Sequence, residues 1–107
     1  MSIQFNINTT PAATVIQFEL EGGVISPDQI EAAVAAAPAL SVDGGTVDPE
    51  SGVILSGRGP VWLFGALAHN YHPCAWVATH DPRLGGGVVV ARHRKDAPMV
   101  GAVVPME

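Results

Sequence analysis

Val53-Ile54-Leu55-Ser56-Gly57-Arg58-Gly59-Pro60-Val61-Trp62-Leu63-Phe64-Gly65-Ala66-Leu67-Ala68 begins as one kind of structure and ends as another. Val53 to Leu55 is a short apolar run of the kind that forms a strand buried on both faces. Glycine and proline punctuate residues 56–60. From about Pro60 to Tyr71 the chain then reads as a helix, closed off by Pro73. That helix is apolar nearly all round, which predicts deep burial. A strand that turns straight into a helix is half of a strand–helix–strand unit.

The flanks extend the same pattern. Upstream, Ile3-Gln4-Phe5-Asn6-Ile7 alternates apolar and polar residues, and Thr14 to Glu21 gives a second strand. With a turn at Pro11 between them, the two are expected to pair as a hairpin. Gly22-Gly23 breaks the pattern. Ser26-Pro27-Asp28 then opens a helix, with serine as N-cap and proline at the first helical position, running to about Ala37 before Pro38. Residues 41–51 are polar and turn-rich. Downstream, Ala75 to Thr79 is a strand, Asp81 to Gly87 a loop, Val88 to Ala91 a strand, and Arg92-His93-Arg94-Lys95 a basic turn. Val100 to Val104 adds an edge strand between two prolines. The order is ββαβαββ with room for one more strand. The expected fold class is α/β. Residues 1–107 form a single compact domain, a mixed sheet of about five to six strands with two main helices packed on it. No repeat, linker or low-complexity tract interrupts it.

Composition agrees. The chain has 107 residues, 48% of them apolar, enough for one core without disulfides. One cysteine, Cys74, gives no disulfide framework. No apolar run approaches the roughly 18 residues a spanning helix needs. Met1 to Phe5 lacks the build of a secretory leader. No membrane partner and a cytoplasmic location are therefore the expectations. The net charge of −5 argues against duplex DNA as a partner. The charge is unevenly spread, however. Residues 1–57 carry seven acids and no lysine or arginine, whereas residues 58–107 carry all five basic residues, three acids and all four histidines. Five basic residues are few, and an uneven surface alone would explain them. An anion site in the second half is the more specific reading.

Three groups of residues can carry chemistry there. Ser56-Gly57-Arg58 lies between a strand and a helix N-terminus, where free backbone N–H groups and the helix dipole favour a phosphate. Arg58 can contact it bidentately. A plain connecting turn is the alternative. His69 and His72, three apart, share a helix face if the helix reaches them. His69 is more simply a helix C-terminal residue, while His72 sits at the helix exit. His80-Asp81-Pro82-Arg83 follows a buried strand, and ligands of open α/β sheets gather at strand carboxyl ends. Asp81 there can bind a divalent metal or take a proton, with Arg83 on a phosphate. Equally, Asp81 can cap its own turn and pair with Arg83. Cys74, Trp62 and Trp76 read as core, although a tryptophan at the site edge could stack a base.

Taken jointly, Ser56-Gly57-Arg58-Gly59-Pro60-Val61-Trp62-Leu63, Tyr71-His72-Pro73 and Val77-Ala78-Thr79-His80-Asp81-Pro82-Arg83-Leu84-Gly85 resemble one family. It is that of the small stand-alone CRISPR-associated ring nucleases of type III systems, relatives of the CARF nucleotide-sensing domains. The resemblance implies a CARF/Rossmann-like fold and a manganese-dependent phosphodiesterase. Its substrate would be cyclic tetraadenylate, whose linearisation switches off the type III response. It implies His72, Asp81 and Arg83 as the active-site group, with Asp81 helping to hold Mn2+. Ser56, Gly57 and Arg58 would line the ligand groove. A homodimer or homotetramer would hold the ligand between subunits. A metal-dependent nuclease trimming short RNA at its 3′ end is a related alternative. A different class, a module that binds a cyclic oligoadenylate without cleaving it, would use the same glycines and arginines. His72 and Asp81 discriminate, since a pure binder has little use for a titratable group beside a metal-ligating acid. His69, His80 and His93 receive no role from the resemblance.

Overall fold

The computed structural model describes residues 2–106. Strands β1 (Ile3–Thr9) and β2 (Ala13–Leu20) form the expected hairpin, antiparallel from Ile3↔Leu20 to Thr9↔Thr14. The Thr10 side-chain oxygen closes the turn by accepting the Ala12 and Ala13 N–H groups. Gln29 reaches back to the Ser26 N–H at 2.9 Å, so the Ser26 helix start is real. Its first turn, Pro27–Gln29, is 3-10, and helix α1 proper covers Ile30–Ala36. Then follow β3 (Gly52–Gly57), helix α2 (Val61–Asn70), β4 (Trp76–Asp81), β5 (Gly86–Arg92) and β6 (Val103–Pro105).

All six strands join one mixed sheet in chain order, β1 to β6. Strands β2, β3 and β4 run parallel, and the outer pairings are antiparallel. Two crossovers that step the same way along a sheet, each right-handed, put both helices on one face. The core is divided accordingly. Ile16, Phe18, Leu20, Val53, Leu55 and Val77 meet Ala33 of α1 and Leu63 and Leu67 of α2 on the helical face. A smaller cluster lies on the other face, where Val15, Ile54, Trp76, Ala78 and Val89 are covered by Val104 and by Ala97, Ala102 and Met106.

Three expectations are corrected. Strands β3 and β4 run further than their apolar cores, so Ser56, Gly57, His80 and Asp81 belong to strands, not loops. Helix α2 is not buried all round. Only Leu63 and Leu67 are fully enclosed, and Val61 is 86% exposed. One helix flank meets the sheet and another meets α1, and the outward flank carries the exposed residues Val61, Gly65 and His69. The edge strand is Val103–Pro105, because Met99 to Ala102 closes as a turn through the Ala102 N–H and the Met99 carbonyl at 2.9 Å.

Buried groups at the far end of α2 tie the layers together. The Tyr71 hydroxyl donates to the Pro38 carbonyl at 2.8 Å, linking the ends of the two helices. Burial pushes the Tyr71 phenol well above its usual range. Cys74 is enclosed, and burial, then the Asp48 charge, push its thiol up to about 11, against a smaller opposing effect of Arg94. It is an inert core residue at neutral pH.

Gly52 is where β3 passes closest to a side chain, since a Cβ there would collide with the Trp76 indole. Gly52→Ala should therefore destabilise the fold by about 1–3 kcal/mol, the usual cost of overpacking. Urea denaturation monitored by tryptophan fluorescence checks this, and an unchanged midpoint would contradict the packing described.

Candidate functional site

The parallel strands end together on one edge of the sheet, and the two loop groups meet there. Leu55 pairs with Thr79, so Ser56 and His80 come next to each other on the face away from the helices. The Ser56 hydroxyl lies 2.9 Å from His80 Nδ1, and Ser56 is 7% exposed. Gln17 pairs with Ser56 and Asn6 with Gln17, which carries a polar row across four strands. Beside it a groove of about 530 Å³ is lined by Asn6, Gln17, Glu19, Gly23, Gly57 and Arg58. Gly57 is required there. Its φ is +149°, and a Cβ would press on the Phe18 ring at 2.6 Å. Arg58 is exposed and, among the described residues, has no carboxylate partner. No side chain caps the N-terminus of α2, which begins at Val61. Arg58 and that helix end together favour an anion.

Asp81 and Arg83 stand on the same edge. Arg83 donates to Asp81 three times: from its backbone N–H at 3.0 Å and Nε at 3.2 Å to Oδ1, and from Nη2 at 3.0 Å to Oδ2. The Arg83 side-chain bond, then its backbone bond, hold the Asp81 carboxyl below its ordinary value. The same partner raises Arg83 further. The carboxylate thus shapes the turn and holds the guanidinium in reach of the edge. Among the described residues no group of three or more His, Cys, Asp or Glu side chains is placed to hold a metal ion.

His72 is elsewhere. Helix α2 runs back along the sheet, so the turn after it lies at the edge where β4 begins, and Trp76 pairs there with Arg92 at the end of β5. A strand rises about 3.3 Å per residue, so the two ends of β4 are about 16 Å apart. One chain therefore brings Asp81 and Arg83 together with Ser56, Gly57 and Arg58, and places His72 on the opposite edge. His72 has its own company there. Its ring meets His93 edge-on, with centroids 4.6 Å apart, and lies parallel to His69 at 6.5 Å. Arg94 on that edge is 3.7 Å from Glu50. Arg92 is committed to the Lys95 and Ala97 carbonyls.

Two participants were not singled out from the sequence. His80 is the buried serine's partner, and a strict period of two carried past Thr79 and Leu55 would have found it. His93 meets His72 only through the pairing of β4 with β5, which no local pattern encodes.

Residues 36–105 match the family described as "CRISPR-associated protein (Cas_csx3)". The chain belongs to that family. The matched region contains both edges just described, from Ser56 to Arg83 and from His69 to His93. A protein of Aquifex aeolicus (strain VF5), described as an uncharacterized protein, is 51% identical over 55 residues. That similarity covers 51% of this chain, which spans about half (49%) of the relative's length. No helix among the described residues is long and apolar enough to cross a membrane.

The Asp81–Arg83 pair makes a direct prediction. A depressed carboxyl pKa favours the charged form in the folded chain, so the contact is intact at neutral pH and is lost as pH falls through the folded midpoint. Followed by carboxyl 13C NMR, Asp81 should titrate below the usual value of about 3.9, and Arg83→Ala should move the midpoint upward. A midpoint indifferent to Arg83→Ala would show that the turn does not hold the carboxylate.

Proposed function

We propose that this chain is a manganese-dependent phosphodiesterase that binds and linearises cyclic tetraadenylate, switching off type III CRISPR signalling, and that its active site is composed between subunits. The observation that carries the proposal is the division of the chemistry. Anion-binding and acidic groups occupy one edge of the sheet, and an exposed imidazole occupies the other. Two copies stacked edge to edge, so that unlike edges meet, would bring Asp81 and Arg83 of one subunit to His72 of the next. Contact between unlike edges is heterologous, so it either closes into a ring or leaves the end edges open to further copies, and a homodimer or homotetramer with ligand between subunits remains part of the proposal.

The chemistry needs no protein nucleophile. A ribose 2′-hydroxyl attacks its own 3′-phosphate, forming the new O–P bond as the bond to the 5′-oxygen breaks. His72 either takes the proton from the 2′-hydroxyl or gives one to the departing 5′-oxygen, and water makes the complementary transfer, so that no net proton is gained or lost. Arg58 and Arg83 stabilise charge growing on the phosphate oxygens. The ring opens to a linear product bearing a 2′,3′-cyclic phosphate and a 5′-hydroxyl. Manganese belongs to the same proposal, with Asp81 as the contacting residue and charge neutralisation as its contribution. Asp81, the carboxylate proposed for that ion, is already engaged by Arg83, and no three-ligand group is placed around it among the described residues, so further ligands must come from a second subunit, the substrate or water.

A binding module without turnover is the second reading. It is favoured by the engagement of both Asp81 oxygens and by the absence of a three-ligand metal group among the described residues.

Incubation with cyclic tetraadenylate, with manganese or with chelator, separates the readings. Turnover should require manganese and fall about 10²–10⁴-fold in His72→Ala, the usual range for a lost acid–base group. Mixing His72→Ala with Asp81→Ala should restore activity, since each supplies the half the other lacks. Intact substrate with the unsubstituted protein, indistinguishable from His72→Ala, rules out the nuclease. Tight binding without turnover supports the module. Activity without recovery on mixing rules out the shared site.

A further inference from the structure

We infer that His93 is a positioning residue for the His72 imidazole. The inference rests on the proposed role of His72 in proton transfer, and its test includes a measurement that does not depend on that role.

His72 is exposed, on the turn that follows α2. Its backbone N–H donates to the His69 carbonyl at 3.1 Å, which fixes the chain and leaves the ring free to rotate about its side-chain bonds. An exposed ring with that freedom makes a poor proton-transfer group, because the productive rotamer is one among several. Packing must select it. His93 is the nearer of two aromatic neighbours, 4.6 Å away with the planes at 74°. That edge-to-face contact is within the preferred range for aromatic pairs. His69 lies 6.5 Å away, with the planes within 19° of parallel.

His93 is held from two directions. Its backbone N–H donates to the Ala75 carbonyl at 2.8 Å. Its Nδ1 lies 2.9 Å from the carbonyl of Cys74, which is fully buried. A carbonyl oxygen only accepts, so His93 Nδ1 carries the proton and the ring plane is set by the bond. In the neutral ring the lone pair is then on Nε2. Both acceptors belong to the segment that follows His72 directly. The ring of His93 is thus anchored on the core boundary two residues beyond the turn it supports. The line of support runs from the buried Cys74 backbone through the His93 ring to the His72 ring. The contact is made by the end of β5, whose Arg92 binds the Lys95 and Ala97 carbonyls and so steadies the segment after His93.

The full chain carries the test in three variants, His93→Ala, His93→Asn and His72→Ala, with the double variant His72→Ala/His93→Ala. With cyclic tetraadenylate and manganese, His93→Ala should lower kcat about ten- to hundredfold, as small misplacements of a reacting group do, with KM changed less than about twofold. In the His72→Ala background the same change should have no further effect. The His72 imidazole resonances, identified by their loss in His72→Ala, should shift and broaden in His93→Ala. An equal loss of kcat in both backgrounds, or His72 resonances that stay in place, overturns the inference. Should the unsubstituted protein fail to cleave the substrate, the proposed function fails, and the resonances decide the role of His93 by themselves. If circular dichroism shows that His93→Ala does not fold, His93→Asn takes its place. Its amide can still donate to the Cys74 carbonyl while the ring is gone, so it should reproduce the shift of the His72 resonances.

Discussion

Parallel pairing of β3 with β4, in register from Gly52↔Trp76 to Leu55↔Thr79, is the constraint from which the rest follows. Two parallel neighbours must be joined by a crossover, and here the crossover is α2. The helix starts where β3 ends and finishes where β4 begins. Whatever follows β3 and whatever follows β4 therefore share one edge, while whatever follows the helix lies on the other. Ser56, Arg58, Asp81 and Arg83 gather for that reason, and His72 is separated from them for the same reason. The separation belongs to the topology. No change of side-chain rotamer closes a distance set by the length of a strand, so a site that uses all these residues requires a second chain.

The two faces of the sheet divide the labour differently. The helical face carries the larger core and joins α1, α2 and the first four strands through Leu63, Leu67 and Tyr71. Burial of this kind is roughly proportional to area and has no direction. It holds the strand ends rigid without specifying any chemistry. The other face carries a smaller core under the last segment of the chain, and polar side chains come to the surface where that cover stops. Ser56 and His80 sit at this boundary. A buried hydroxyl needs a partner, and the histidine across the strand satisfies it.

Much of the fold was legible because it depends on local signals. The hairpin follows from alternation, the start of α1 from Ser26-Pro27, and its end from Pro38. The apolar triplet Val53 to Leu55 marks a central strand. What was not legible depends on pairings distant in sequence. Nothing local tells Val61 that its flank of α2 will face solvent, and past Thr79 only the alternation of faces, with no apolar residue to mark it, carries the strand through His80 to Asp81. The candidate site divides in the same way. The residues were visible as types at particular spacings, and the Asp81–Arg83 turn was an open alternative on spacing alone. Their assignment to two edges required the direction of α2 relative to the sheet. His93 was legible only as part of a basic turn, because its neighbours His72 and Cys74 lie about twenty residues earlier.

On the proposed reading, the two arginines of the anion-binding edge have different tasks. Arg83 is committed to Asp81 through both its side chain and its backbone, whereas Arg58 has no carboxylate partner among the described residues. An incoming phosphate meets Arg58 at no cost in broken contacts, beside a helix end whose N–H groups no side chain caps. To reach the phosphate bidentately, Arg83 must loosen its hold on Asp81, and that exchange frees carboxylate oxygens at the moment the negative charge arrives. A cation is then required to offset two anions brought together. The demand for a metal would thus arise with the substrate, not before it. This is consistent with the finding that no group of three ligands is placed to hold a metal among the described residues, and it makes ligand and ion mutually dependent in binding.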